Sequence, residues 1–296
     1  MKMLLRIYRK IGRDRVVALA AGVTFYSLLA IFPAIAALVA LYGIFADPAT
    51  IASHLDGLSG VLPTGALEVL RDELNRLASQ RGGTLGLTFL VGLGTSLWSA
   101  NAGIKALFDA LNLVYEEEEK RGLIRLNAIS LAFTTGAIFL LLVALVAIVV
   151  LPVAMNFVGL PDVTETVVKA VRWPALFLVV ALALAAIYRH GPSHTEPRWR
   201  WITWGSAFAA LAWLAASALF SWYAENFGSY NKTYGALGAV IGFMIWLWLS
   251  TIIILLGAEL DAEMEHQTAR DTTVGGDKPL GARGATMADT VGPATD

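Results

Sequence analysis

The sequence has 296 residues, of which 57% are hydrophobic and only 15% are charged. Soluble domains average roughly 45–50% apolar and about 25% charged residues, so this composition excludes an ordinary soluble protein. The absence of cysteine excludes disulfides, thiolate metal sites and a cysteine nucleophile. The net charge of -1 is uninformative as a total, and only its distribution along the chain matters.

Six uncharged and mainly apolar stretches follow one another, at 16–46, 82–104, 126–161, 173–188, 201–224 and 233–258. A membrane-spanning helix needs roughly 17–25 such residues. The fourth stretch is the shortest, but it can still span the membrane. Pro174 suits a first helical turn, and the side chains of Arg172 and Arg189 can extend to the two membrane–water interfaces. We therefore predict an all-α, polytopic membrane helix bundle of about six transmembrane helices at 16–265, after a basic cytoplasmic arm at 1–15.

The positions of Lys and Arg predict the orientation, because basic residues near the span ends resist translocation. With the N-terminus inside, the cytoplasmic segments carry 16 of the 22 Lys and Arg residues. An even number of spans places both termini on the same side. The sequence therefore predicts a multi-pass protein whose N and C termini are both cytoplasmic.

Two segments outside the spans have the spacing of amphipathic helices. On the outer side, within 48–81, one helical face carries Leu67, Leu70, Leu74 and Leu77. On the inner side, the same spacing is found at Ile104, Leu107, Phe108, Leu111 and Tyr115. We expect both to be interfacial helices. The polar segment 266–296 has few bulky apolar residues to bury, which predicts a disordered cytoplasmic tail.

Neutral polar residues are the candidates for function within the spans, because the six stretches contain no charged side chain of the kind that ion-driven transporters usually keep there. Asn101 stands out, since an unpaired amide is costly in lipid. Pro33 removes a backbone donor from the first span and frees the carbonyl of Leu29. The resulting bend beside Tyr26 and Ser27 is either a simple kink or the wall of a cavity.

The ends of the last two spans supply further cavity or gate candidates. Tyr230 and Tyr234 lie in the short outer loop, where they either close a cavity or act as aromatic anchors of a packed turn. Glu259 follows the last span directly and is expected to make a buried polar contact, the alternative being a helix-end carboxylate among the headgroups. Close helix packing is predicted at Gly235, Gly238 and Gly242, the alternative being a surface on which two helices slide.

Catalytic and metal-binding motifs have little support. His190 and His194 are four residues apart, but Gly191 and Pro192 intervene, so a helical pair of metal ligands is not expected. No phosphate-binding loop, zinc-protease helix or nucleophile elbow occurs in the sequence. The basic and aromatic cluster at 198–201 fits an interface anchor better than a nucleic-acid surface. We expect no metal, no cofactor, no nucleic acid and no enzymatic activity.

Three parts of the sequence carry a resemblance to a known family. They read AAGVTFYSLLAIFPAIAALVALYGIF (20–45), SLWSANAGIKALFDALNLVY (96–115), and YRHGPSHTEPRWRWITWGSAF (188–208) with FGSYNKTYGALGAVIGFMIWLWLSTIIILLGAEL (227–260). This set resembles the YihY/BrkB family of bacterial inner-membrane proteins over 20–265. Two positions depart from the family pattern: Trp204-Gly205-Ser206 stands for the usual Pro-Gly-Ala, and Asp261 stands for the usual Asn.

The resemblance implies a helical protein of the bacterial inner membrane. Trp98, in the second segment, is a further cavity or gate candidate. The family has been associated with virulence and has carried a ribonuclease label, but these residues supply neither a metal-ligand cluster nor a nucleic-acid surface for that activity.

The leading functional hypothesis is transport or handling of a lipid or another amphiphile by uncharged spans, with membrane lipids as partners. The charged head of the amphiphile is then expected to meet cytoplasmic Arg121, Arg189, Arg198 or Arg200. The alternative is a non-transporting scaffold that docks other envelope proteins through its outer amphipathic helix. A membrane-bound enzyme is the third hypothesis. The sequence predicts no oligomeric state.

The predicted topology is testable with reporter fusions. Fusions made after Arg121 and after His266 should report a cytoplasmic location, because basic segments are retained inside. A fusion made after Arg76 should report an external location. The reverse pattern would overturn the orientation.

Overall fold

The fold is described here from a computed structural model, which describes residues 2–45, 85–157, 161–227 and 236–292. The regular elements in these ranges are helices: α1 (Lys2–Arg13), α2 (Val16–Phe45), α3 (Leu85–Val114), α4 (Leu123–Phe157), α5 (Pro161–His190), α6 (Trp199–Phe227), α7 (Ala236–His266) and the short α8 (Thr286–Asp289). Pairing between extended segments is limited, within these ranges, to one antiparallel bridge between Pro197 and Thr273.

Five of these helices are long and apolar enough to cross a membrane. Their apolar windows are Val16–Ile35, Leu123–Val143, Trp173–His190, Trp204–Tyr223 and Val240–His266. The predicted second span, at 82–104, begins outside the described residues and continues in α3. The prediction of an all-α membrane bundle is therefore confirmed. The outer segment 48–81, together with Tyr230 and Tyr234, lies outside the described residues.

The apolar side chains of these helices are largely exposed on the protein surface. Between 17% and 28% of each apolar window is buried within the protein. Phe25 and Phe32 on α2 and Leu211 and Leu219 on α6 are all more than half exposed. Large apolar side chains exposed along whole helices are typical of surfaces that meet lipid.

The chain forms two compact units. Unit 1 comprises Met1–Phe25, Lys105–Leu126 and Val171–Asp296, and unit 2 comprises Tyr26–Ile104 and Asn127–Ala170. Each unit is described by itself below.

Helices α6 and α7 pack against each other in unit 1 through two tryptophan–serine hydrogen bonds. Trp213 Nε1 on α6 donates to Ser250 Oγ on α7 at 2.9 Å. In the opposite direction, Trp246 Nε1 on α7 donates to Ser217 Oγ on α6 at 3.3 Å. These bonds satisfy the indole N–H groups, which are costly to leave unpaired away from water.

Two glycines allow α6 and α7 to approach closely at a second point, toward the start of α6 and the end of α7. A Cβ atom added at Gly205 would collide with the carbonyl oxygen of Gly257 and with the side chain of Asp261. A Cβ atom added at Gly257 would lie 2.5 Å from the hydroxyl of Tyr188 and 2.6 Å from Cβ of Ala209. The helix crossing therefore requires glycine at both positions.

Four segments meet on one side of unit 1, which we call the terminal side because it carries both described chain ends. They are α1, the loop between α3 and α4, the loop between α5 and α6, and residues 267–292. Backbone hydrogen bonds join the α5–α6 loop to the tail, from Thr195 N to Gly284 O at 2.9 Å and from Arg198 N to Thr272 O at 2.8 Å. The α3–α4 loop joins through Lys120 N, which donates to Ser193 Oγ at 2.9 Å.

The tail differs from the expectation of disorder at 266–296, since its described part folds around one arginine. The guanidinium of Arg283 is buried and donates to the carbonyl oxygens of Ala269 at 2.8 Å, Arg270 at 3.2 Å, Lys278 at 3.2 Å and Ala288 at 2.7 Å. Apolar content is therefore a poor guide here, because a planar group with five donors supplies the internal contacts instead.

The inner amphipathic segment also differs from the expectation of a separate interfacial helix. Helix α3 continues without interruption to Val114 and ends where Glu116 adopts a left-handed backbone, with φ of 52°. Glu117 N then donates back to Asn112 O at 2.8 Å, a typical helix-ending hydrogen bond. Phe108 and Leu111 are fully buried, so the apolar stripe packs inside unit 1.

Replacing Gly257 with Ala should destabilise the protein strongly, because the added methyl group meets Tyr188 and Ala209 at less than van der Waals distance. Gly242→Ala on the same helix is the matched control, since the nearest atom to its added Cβ is Phe220 Cζ at 4.0 Å. We expect a loss of about 2 kcal/mol or more for Gly257→Ala and no loss for Gly242→Ala, measured by thermal unfolding in detergent. Equal melting temperatures of the two variants would contradict the close crossing.

Candidate functional site

A buried polar contact lies within the membrane part of unit 2. Asn101 on α3 is fully buried, and its Oδ1 accepts a hydrogen bond from Thr134 Oγ1 on α4 at 3.1 Å. The Thr134 hydroxyl also lies 2.9 Å from the carbonyl oxygen of Ser130. The amide nitrogen of Asn101 has no hydrogen-bond partner among the described residues. Such a donor in an apolar environment costs about 1–3 kcal/mol, so it is a candidate for binding a ligand.

The other unit 2 candidates surround the crossing of α2 and α3. An added Cβ at Gly103, two residues after Asn101, would lie 3.3 Å from Ser27 Cα, so the two backbones are close at this point. Tyr26 is 50% exposed and Trp98 is 57% exposed, so both side chains are at the surface of the protein. Helix α2 runs through Pro33 without ending. The structure thus brings Ser27 near α3 but leaves Tyr26 and Trp98 facing outward.

Helix α7 continues two turns beyond the predicted end of the last span at 258 and carries four buried carboxyl groups. Glu259, Asp261, Glu263 and Glu265 are each at most 3% exposed. Asp261 Oδ1 accepts from Gly205 N at 2.7 Å. Glu263 pairs with Arg6 at 3.5 Å. The hydroxyl of Thr272 donates to Glu265.

Glu259 differs from its neighbours on α7. It is fully buried, and its side chain contacts the carboxyl group of Asp14 of the arm, while neither of its oxygens receives a hydrogen bond from another described group. Lys10 of the arm and Glu263 on α7 itself are further charged groups that interact with it. A contact between two carboxyl groups differs from a helix-end carboxylate among the headgroups, which is the alternative that the sequence offers.

An aromatic pair lies near these carboxyl groups. The rings of Tyr115 and His194 stack with centroids 5.2 Å apart. Burial, followed by the charges of Asp261 and Glu265, raises the pKa of Tyr115 well above its usual value. Burial lowers the pKa of His194 to about 4, and its Nε2 has no described hydrogen-bond partner. His194 is therefore neutral at physiological pH.

Two of the predicted headgroup arginines make internal contacts. Arg121 donates to Glu119 at 2.6 Å and to the carbonyl oxygens of His190 at 3.0 Å and Gly191 at 2.7 Å. Burial alone would raise the pKa of Glu119, but the hydrogen bonds from Arg121 outweigh it and lower the pKa to about 2. Arg189 pairs with Glu196 at 3.0 Å and lies over the ring of Trp199 at 4.7 Å.

The third headgroup candidate, Arg198, lines a half-open cleft of about 520 Å³ on the terminal side. The cleft is lined by Arg198, Ala269, Arg270, Asp271, Asp277, Lys278 and Arg283. Sequence reasoning missed it because six of these seven residues belong to the tail. The available signal was the three basic residues that the tail carries despite its few apolar groups. The side chain of the fourth candidate, Arg200, lies outside the described residues.

Metal ligation has no candidate in the described part of the chain. No group of three or more His, Asp or Glu side chains is arranged there so that it could hold a metal ion.

Comparisons with known proteins identify relatives over nearly the whole chain. A family model described as virulence factor BrkB matches residues 7–279. The putative ribonuclease-like protein YfkH of Bacillus subtilis is 33% identical over 82% of this chain and 87% of its own length. A UPF0761 membrane protein of Pseudoalteromonas translucida is 24% identical over 88% of this chain and 84% of its own.

Another relative is longer than this chain. It is a UPF0761 membrane protein of Methylibium petroleiphilum, 25% identical over 86% of this chain but only 60% of its own length. No solved structure gives a significant match.

The titration of His194 should make the fold sensitive to acid. Because its folded pKa of about 4 lies below the ordinary 6.5, the stability from neutral His194 is complete above pH 6.5 and is lost as the pH falls toward 4. His194→Phe keeps a ring against Tyr115 but removes the proton. On lowering the pH from 7 to 5, the unmodified protein should lose about 2 kcal/mol more stability than this variant.

The measurement is thermal unfolding in detergent at pH 7, 6 and 5. The control is Gly242→Ala, which changes no titratable group and adds a Cβ whose nearest neighbour lies at 4.0 Å. The control should keep the pH dependence of the unmodified protein. If the His194→Phe variant also keeps the pH dependence of the unmodified protein, His194 does not titrate with a lowered pKa.

Proposed function

The chain belongs to the family described as virulence factor BrkB, and we propose that it is a bacterial inner-membrane protein that transports or handles a lipid or another amphiphile. In this proposal the terminal side faces the cytoplasm, in agreement with the distribution of Lys and Arg along the chain. The protein is proposed to have no catalytic activity, and the ribonuclease-like name of the Bacillus relative is not carried over.

The observation that carries the proposal is the unsatisfied amide nitrogen of Asn101. Thr134 Oγ1 lies 3.1 Å from the oxygen of this side chain, which leaves the N–H donors on the other side of the amide group. An amphiphile has ester, hydroxyl or phosphate oxygens that such a donor can bind, next to chains that apolar helices tolerate. The donor thereby offers a polar contact along an otherwise uncharged path.

The described windows of the spans support an amphiphile better than an ion. Apart from Arg125 near the start of one window, Arg189 near the end of another and the residues from Glu259 onward in the last, the apolar parts carry no full charge that could bind or repel an ion in lipid. An amphiphile needs no such charge, because its tails remain in the bilayer while its head crosses. Neutral donors such as the amide of Asn101 are sufficient for that step.

The test is lipid movement in reconstituted vesicles. Protein in liposomes containing NBD-labelled phosphatidylethanolamine or phosphatidylglycerol should move the labelled lipid between leaflets faster than liposomes without protein. Asn101→Leu, which keeps the volume and removes the donor, should reduce this rate about tenfold, as expected from losing about 1.4 kcal/mol in the rate-limiting step. Thr134→Val should reduce it less, because the amide itself remains.

Thr95→Val is the matched control, since Thr95 is an exposed residue of the same helix whose hydroxyl donates to Val91 O at 2.7 Å. It should move lipid at the original rate. If the unmodified protein moves lipid no faster than empty liposomes, the non-transporting scaffold becomes the better account. If Asn101→Leu moves lipid at the original rate, Asn101 has no part in the process.

A further inference from the structure

We propose that the cleft on the terminal side is a binding site for a phosphate group, such as that of an anionic phospholipid headgroup. The inference rests on the proposed function, to which it adds the chemical class of the head. The site is formed by Arg198, at the start of α6, and by Arg270 and Lys278 of the tail.

The negative charges of the two acidic residues that line the cleft are already stabilised by other groups of the protein. Asp271 accepts from Thr273 N at 2.9 Å, from Thr273 Oγ1 at 2.7 Å and from Lys278 N at 2.8 Å. It also lies 3.9 Å from the guanidinium of Arg283. Burial raises its pKa, but these hydrogen bonds outweigh it and lower the pKa to about 2. Asp277 is largely exposed and pairs with Arg198 at 2.9 Å.

The positive charges of the basic residues that line the cleft are only partly balanced by acidic groups. The exposed side chains of Arg270 and Lys278 make no hydrogen bond or ion pair with a described residue. Four basic side chains and two acidic ones line the cleft, which leaves two positive charges in excess. Such an excess in a concave surface attracts an anion.

The geometry of the cleft is fixed by backbone contacts. Arg198 donates to the carbonyl oxygens of Thr273 at 2.9 Å and Gly275 at 3.3 Å, so its guanidinium is held in place. Arg283 uses its donors on four carbonyl oxygens, and it therefore orders the loop rather than binding a ligand. A phosphate group bound here would meet one fixed guanidinium and two exposed cations, a combination that suits its charge and its oxygens.

The position of the cleft along the helices favours a lipid as the source of the phosphate. Arg198 precedes by six residues Trp204, where the apolar window of α6 begins, a rise of about 9 Å in a helix. Each headgroup layer of a bilayer is roughly 5–8 Å thick. The cleft therefore lies at or just beyond the headgroups. Trp199 and Trp204, both more than half exposed, are typical of this interface.

The test is direct binding to the full-length protein in detergent, measured by calorimetric titration. One arm uses dihexanoyl phosphatidylglycerol below its micelle concentration, a second uses inorganic phosphate, and a third uses dihexanoyl phosphatidylcholine. We expect the anionic lipid to bind at least tenfold more tightly than phosphatidylcholine. Binding of inorganic phosphate as tight as that of phosphatidylglycerol would identify free phosphate as the source, and weaker binding would identify the lipid.

The variant is Arg270→Gln with Lys278→Gln, and both side chains are exposed, so the fold should be unaffected. Its affinity for the anion should fall about tenfold or more. Arg9→Gln with Arg125→Gln removes the same charge from two exposed positions outside the cleft and should bind as before. The proposal is overturned if neither anion binds, or if the cleft variant binds as tightly as the control.

These outcomes are separate from those of the transport assay. Loss of anion binding in the cleft with lipid movement retained would leave the proposed function standing with another headgroup site. Anion binding without any lipid movement would contradict the proposed function and leave the cleft as a phosphate site.

Discussion

The carboxyl groups at the end of α7 are buried away from water, so other protein groups must supply the charges and hydrogen bonds that stabilise them. The segments of the terminal side supply these groups. A buried carboxylate is costly unless charges and hydrogen-bond donors surround it. Arg6 of the arm reaches Glu263, the backbone of α6 reaches Asp261, and the tail reaches Glu265 through Thr272. Segments far apart in the sequence are therefore assembled around the last two turns of a single helix.

The membrane helices were predictable because length and uncharged composition are local properties of the chain. The residues at which the polar ends of these helices begin were not predictable in this way. The last span was expected to end at 258 because Glu259 is charged, yet the helix runs on to His266. Its acidic groups are partnered by residues from other parts of the chain, which a local window does not contain. The folded tail was missed for the same reason, since the four carbonyl oxygens that hold Arg283 become neighbours only in the folded protein.

The candidate sites also differ in whether local sequence could identify them. Asn101 was identifiable because an amide within an uncharged span is chemically conspicuous, but its partner Thr134 belongs to another helix. The positions of Arg121 and Arg189 near span ends predict headgroup contacts, but the structure places both in internal ion pairs. The close approach of α6 and α7 occurs at Gly205 and Gly257. The glycines singled out from their spacing lie earlier on α7 or outside the described residues.

The two departures from the family pattern meet at that close approach. Gly205, the unaltered middle residue of the segment at the start of α6, donates its backbone N–H to Asp261, the altered residue on α7. An Asn at 261 could accept the same hydrogen bond through its side-chain oxygen. The contact is therefore compatible with either residue.

The claim that the spans hold an amphiphile is tested most directly by an electron cryo-microscopy map of the protein in a phosphatidylethanolamine and phosphatidylglycerol bilayer. The account predicts density for a lipid head within about 3 Å of the Asn101 amide nitrogen, the length of a hydrogen bond. A map in which a protein group occupies that position, with no lipid within the bundle, would contradict it.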